Sequence, residues 1–169
     1  PLSPAKQCLT GITLTKNNSP ENRKHQQLGF HGANERRVSE SDLGLSHVED
    51  SVLRCLRMFC LSYARPESFA WEAALDTSVR DFGPVHGPHI GLAVMACIRT
   101  IRLSRTTCFH FTNPGCRCCR GSLSENECQF VAIMRAEENS KGLDRQKQAL
   151  ILCEGGETAP LLNAVQQLV

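Results

Sequence analysis

From Ser46 onward, apolar residues return at spacings of three and four, and that period commits the chain to helices that each bury one face. Ser46-His-Val-Glu49 has the form of a capping box and opens a run with Val48, Val52, Leu56, Phe59, Cys60 and Tyr63. This predicts a helix over about 47–64. Pro66 follows, and a second helix is expected over about 67–82, burying Phe69, Leu75, Val79 and Phe82 before Gly83-Pro84 stops it. Pro88 suits a first helical turn, and Ile90, Leu92, Val94, Met95, Cys97, Ile98 and Ile101 make the next segment apolar on most sides. A buried central helix to about 103 is therefore expected as the hub of the core.

Beyond the hub, Ser124-Glu-Asn-Glu127 repeats the capping-box form ahead of Cys128, Val131, Ile133 and Met134, which predicts a helix over about 125–138. Two shorter helices should complete the chain, one over about 143–153 and one opening at Thr158 with Pro160 in its first turn. Gly155-Gly156 separates them. The expected fold class is mainly α, with about six helices around a central apolar helix and a small hairpin or knuckle near residues 107–120. In that knuckle Cys108-Phe-His-Phe111 alternates as a short strand would, and Asn113-Pro-Gly-Cys116 has the Pro and Gly placement of a type II turn.

Residues 1–45 are different in kind. They are polar, broken by Gly, Pro and Asn, and show no sustained apolar period that could offset the entropy of ordering. A flexible N-terminal arm is expected there, with the helical domain over 46–169. A chain of 169 residues can bury a core of its own, so ten cysteines need not act as staples, and most are read as reduced. Cys55, Cys60, Cys97 and Cys153 fall on or beside apolar helix faces, where a thiol behaves as a small hydrophobe. The longest apolar run, Ile90 to Ile98, is too short to span a bilayer, and no secretory signal is evident. A cytoplasmic location and no membrane contact are the expectations.

Chemistry concentrates between Phe82 and Glu125. That stretch has no carboxylate but holds Arg99, Arg102, Arg105, Arg117 and Arg120 together with Cys97, Cys108, Cys116, Cys118 and Cys119. Thiols beside fixed positive charge ionise more easily, and the thiolate is the species that ligates a metal or reacts. Residues two apart in an extended segment share a face, which pairs Cys108 with His110 and Cys116 with Cys118. A two-residue loop at Pro114-Gly115 would put Cys108, His110 and Cys119 on one side and Cys116 and Cys118 on the other; a longer loop would change that register. Cys128, in the first turn of its helix, adds a thiol that the helix dipole would favour as thiolate. Cys108, His110, Cys116, Cys118, Cys119 and Cys128 are thus the candidate metal ligands. Zinc is the expected ion, with an iron–sulfur cluster less favoured, although C-x-C-C followed by a distant cysteine matches no usual zinc spacing.

Arg117 and Arg120 could offset the charge of a thiolate site, and Arg99, Arg102, Arg105, Arg117 and Arg120 could meet an anion or a partner. The net charge of +2 is too small to demand a polyanion, and the hub helix carries Ile90, Leu92 and Val94 where a DNA-reading helix would be polar. Nucleic acid is possible but not favoured. His47, His86 and His89 have no carboxylate placed to orient them. No phosphate loop, dinucleotide fingerprint, nucleophile elbow or H-E-x-x-H motif is present. The leading expectation is a non-enzymatic metal-binding or thiol-sensing regulatory protein that meets a protein partner or a second copy. A thiol oxidoreductase or other cysteine-dependent enzyme using the Cys116–Cys119 cluster is the alternative, and a helical interaction protein with inert thiols is the third reading.

Overall fold

A computed structural model describes residues 37–117, 119–138 and 142–168. The described chain is mostly helical, in the order β1 (Val38–Ser39), α1 (Glu40–Leu43), α2 (His47–Ala64), α3 (Ala70–Ser104), β2 (Ser122–Leu123), α4 (Glu125–Glu138), α5 (Gly142–Leu152) and α6 (Ala159–Val165), with a single 3₁₀ turn at Pro66–Ser68. The mainly α class read from the periodicity is the one observed. Val52, Leu53, Leu56, Val94, Ile98, Ile101, Phe130, Ile133, Leu152 and Leu161 meet in one core. Cys55, Cys60, Cys97 and Cys153 lie in it as expected.

The predicted break at Gly83-Pro84 is real. Gly83 adopts φ 79° and ψ 167°, which no L side chain tolerates well, and it divides α3 into segments 70–82 and 84–104. Pro84 opens the second segment, so the helix expected to begin at Pro88 begins four residues earlier, and Pro88 sits inside its first turns rather than starting them. The two segments fold against each other with almost no side chain between. A Cβ added at Gly87 would lie 2.5 Å from Val79 Cα and 2.6 Å from Ser78 O. The hub face is Val94, Cys97, Ile98 and Ile101, but Leu92, expected inside, is 56% exposed because it points away from that face.

Residues 37–45 are the last part of the predicted arm. Val38–Ser39 pairs antiparallel with Ser122–Leu123, Val38 opposite Leu123, and α1 follows at once, capped by Ser39. Residues 1–36 lie outside the described set.

Both capping boxes form. Ser46 N donates to Glu49 Oε2 and Glu49 N to Ser46 Oγ; Ser124 N donates to Glu127 Oε2 and Glu127 N to Ser124 Oγ. Each glutamate then receives an arginine from the other helix. Arg135 Nε of α4 lies 2.6 Å from Glu49 Oε1, and Arg57 Nε of α2 lies 2.7 Å from Glu127 Oε1. In both helices the arginine follows the glutamate by eight positions, so Ser46–Arg57 and Ser124–Arg135 carry the same Ser-x-x-Glu-x₇-Arg pattern and clamp α2 and α4 antiparallel at both ends. The Arg135 hydrogen bond is the main reason that the Glu49 carboxyl is held below its ordinary range.

The far end of α3 is tied to the turn after α5. Arg105 is almost wholly enclosed; its Nη1 donates to Leu152 O at 2.6 Å and its Nη2 lies 3.0 Å from Glu154 Oε1. Glu154 Oε2 accepts from Thr106 N, Thr106 Oγ1 and Thr107 N, and Oε1 from Thr107 Oγ1. Burial opposes ionisation of Glu154, but the hydrogen bonds from the two threonines outweigh it and hold the carboxyl at about 2. Because the folded value lies below the ordinary 4.5, the stability this group supplies is complete above about pH 4.5 and is lost as pH falls toward 2. Urea midpoints measured across that window should fall more steeply for the parent protein than for Glu154→Gln, which has no carboxylate to protonate.

Candidate functional site

The candidate site is the segment between α3 and β2, and its position follows from how its backbone groups are satisfied. After Arg105 the chain runs against the N-terminus of α4: His110 N donates to Asn126 Oδ1, and His110 O accepts from Ser124 Oγ. Thr112 N donates to Glu127 Oε1 and Thr112 Oγ1 to Ser122 O, while Phe111 enters the core. The segment turns at Asn113-Pro-Gly, where Cys116 N donates to Asn113 O and Gly115 N to Asn113 Oδ1. Gly115 does not take a positive φ, so the turn is not the type II turn expected from Pro-Gly; the Asn113 side chain holds it instead.

No hairpin follows. Among the described residues 107–120 there is no strand, and β2 pairs with β1 from far back in the chain. The knuckle closes by a single helix-like turn, with Cys119 N and Arg120 N both donating to Cys116 O at 3.3 and 3.0 Å. Side chains three apart share a side in such a turn, so Cys116 and Cys119 come together, their Sγ atoms 3.1 Å apart and both residues buried. The hairpin register that would set Cys119 apart from Cys116 is thus replaced by one that joins them. The 116-to-119 spacing is a C-x-x-C, which the sequence displays inside the denser Cys-Arg-Cys-Cys run.

The other predicted ligands are placed differently. Cys108 is half-buried, with its carbonyl near Arg105 Nη2, and His110 is exposed. Cys128 packs against the core, and its thiol is pushed up by burial, then by the charges of Glu127 and Glu125, so the expectation that the helix start would favour a thiolate there is overturned. Cys118 lies outside the described residues. Among the described residues no group of three or more His, Cys, Asp or Glu side chains converges as a metal centre. Burial also raises the thiols of Cys55, to about 11, and Cys97, to about 12, as suits packing rather than reaction.

The arginines separate into two groups. Arg105 is occupied within the fold as described, and the Arg102 guanidinium lies 4.1 Å from the centroid of the Tyr63 ring. Arg99, Arg117 and Arg120 are exposed, the last two on either side of Cys119.

Arg57 was not among the sequence-level candidates and is the centre of the site's wiring. Its side chain is 3% exposed; Nε donates to Glu127, Nη1 to Glu40 Oε1 and Arg120 O, and Nη2 to Ser122 O and Glu127 Oε2. All five guanidinium hydrogens are accounted for. Burial alone would favour the neutral form, but Glu127 and Glu40 outweigh it and raise Arg57 above its ordinary value. One side chain thus joins α1, the knuckle, β2 and α4. A lone cation on the Leu53–Cys60 face of α2 was the available signal, since a buried charge requires a partner.

No family model matches this chain, and neither a curated protein nor a solved structure is similar to it at a significant level. Among the described residues no helix is long and apolar enough to cross a membrane.

Proposed function

We propose that this is a non-enzymatic, cytoplasmic regulatory protein that senses thiol oxidants through Cys116 and Cys119. The carrying observation is the 3.1 Å approach of two buried sulfurs in a C-x-x-C turn whose next carbonyl, Arg120 O, is held by Arg57. Two thiolates on one zinc ion would stand about 3.8 Å apart, given Zn–S bonds of about 2.3 Å at tetrahedral angles, and a disulfide brings sulfurs to about 2.05 Å. The observed separation falls between, and a contraction of about 1 Å completes the bond.

The reaction balances with a hydroperoxide as oxidant. One sulfur takes the distal oxygen as a sulfenic acid and releases an alcohol, or water from hydrogen peroxide; the second sulfur displaces that oxygen as water and forms the S–S bond. The protein loses two electrons and two protons in all. The turn that tightens carries Arg120 O and, through Cys119 O, the amide of Ser122, so the change is passed to Arg57, β2 and the β1–α1 segment held by Glu40.

Zinc held by the same two sulfurs is the second reading, favoured by the same convergence, although among the described residues no third His, Cys, Asp or Glu joins them. One experiment separates them. Treatment with hydrogen peroxide should consume two of the ten thiols. Trypsin, cutting after Arg105, Arg117 and Arg120, should then leave the peptide containing Cys116 cross-linked to the one containing Cys119, and Cys116→Ser or Cys119→Ser should abolish the link. About one tightly bound zinc per chain, with thiols unmasked only by a chelator, would establish the metal reading instead; zinc-free protein whose oxidation is confined to other cysteines would overturn both.

A further inference from the structure

The second segment of α3 buries one face and leaves the other uncovered. Along that outer face Val85, His89, Leu92, Ala96, Arg99 and Leu103 are all exposed, with Val85 at 70%, Leu92 at 56% and Leu103 at 71%. Their spacing is 4-3-4-3-4, the alternation by which a helix presents a straight seam to another helix. Pro84 begins the segment and Arg105 ends it, so the seam runs the whole length of the rod.

Charge decides what fits. No carboxylate occurs between Phe82 and Glu125, and Arg99 stands inside the seam with no ion-pair partner among the described residues. The positions 85 and 103, 89 and 99, and 92 and 96 are symmetric about residue 94, so an antiparallel second copy could match the apolar ends. It would, however, set Arg99 against His89, which supplies no carboxylate, and a parallel copy would set Arg99 on Arg99; neither gives Arg99 a counter-charge. A helix with leucine-like side chains on one stripe and Asp or Glu beside them satisfies both the apolar anchors and the cation.

We infer that the outer face of α3 is a docking seam for an acidic amphipathic helix of a protein partner, seated on Val85, Leu92 and Leu103 and paired in charge with Arg99. This seam is separate from the thiol pair and does not depend on its chemistry. The probe is a synthetic three-heptad peptide with leucine at its a and d positions and glutamate at e and g, compared with the same peptide carrying lysine in place of glutamate. Titrated against the full chain, the acidic peptide should bind at least roughly tenfold more tightly than the basic one, and added salt should narrow that gap. Leu92→Asp and Arg99→Glu should each weaken it by about tenfold, whereas Val48→Asp, on an exposed position of α2, should not. Circular dichroism confirms that the variants fold. Equal affinity for both peptides, binding of neither, self-association lost in Leu92→Asp, or a preference for anionic vesicles or DNA over the acidic peptide would each overturn the assignment.

Discussion

Replacing Arg57 by Met should cost about 3–5 kcal/mol of stability, the largest loss expected from any single side chain here, because it strands Glu127. Glu127 is fully buried, and Arg57 supplies its counter-charge; Thr112 N and Ser124 N would remain as its donors. The reciprocal change, Glu127→Gln, keeps one acceptor oxygen, turns the other position into a donor facing Thr112 N or Ser124 N, and leaves the guanidinium with Glu40 as its one carboxylate beside two carbonyls. The diagnostic result is the double variant. Arg57→Met with Glu127→Gln removes both charges, so its loss in urea unfolding should fall below the sum of the single losses by about 1–3 kcal/mol. Strict additivity would show that the two side chains do not act as a pair.

Gly87→Ala should be nearly as damaging, for a steric reason. The new methyl group would stand within 2.7 Å of Val79 Cα, Val79 N and Ser78 O, all backbone atoms that cannot rotate aside, so the two segments of α3 must separate. Alanine is intrinsically the better helix former by about 1 kcal/mol, yet overpacking of this kind costs about 3 kcal/mol, and the clash wins. Gly83→Ala is the instructive comparison. Nothing crowds that position, and the expected loss of about 1–2 kcal/mol comes from φ alone. Thermal unfolding of the two variants should therefore rank Gly87→Ala well below Gly83→Ala; the reverse order would mean that the corner, not the close packing, determines how the segments meet.

Much of the fold was legible because its signals are local. The two capping boxes, the break at Gly83-Pro84 and the starts of α2, α4 and α6 are each written within a few neighbouring residues. What escaped reading is what depends on distant residues. Glu49 and Glu127 were visible as capping groups, but their second role needs arginines 86 and 70 positions away. β2 was not foreseeable as a strand, since its partner is Val38–Ser39, and the alternation of Cys108–Phe111 was a false strand signal: those residues use α4's first turn, not a ladder, to satisfy their backbone. In the cysteine run the residue types drew attention to the right segment, yet the pairing of Cys116 with Cys119 depends on a turn whose geometry is set by Asn113 and by the bonds to Cys116 O.

The matched glutamate–arginine clamps between α2 and α4 also have a consequence for alignment. Their two ends are eight residues, or about 12 Å, apart along each rod. Apolar seams tolerate slippage by a turn, since one leucine can replace another. Here a shift of a single turn would part both ion pairs together and cost four buried or half-buried charges the partners that now face them across the two helices. The two helices therefore have one permitted sliding position and no neighbouring state to relax into, so whatever moves in this molecule must do so around that pair rather than along it.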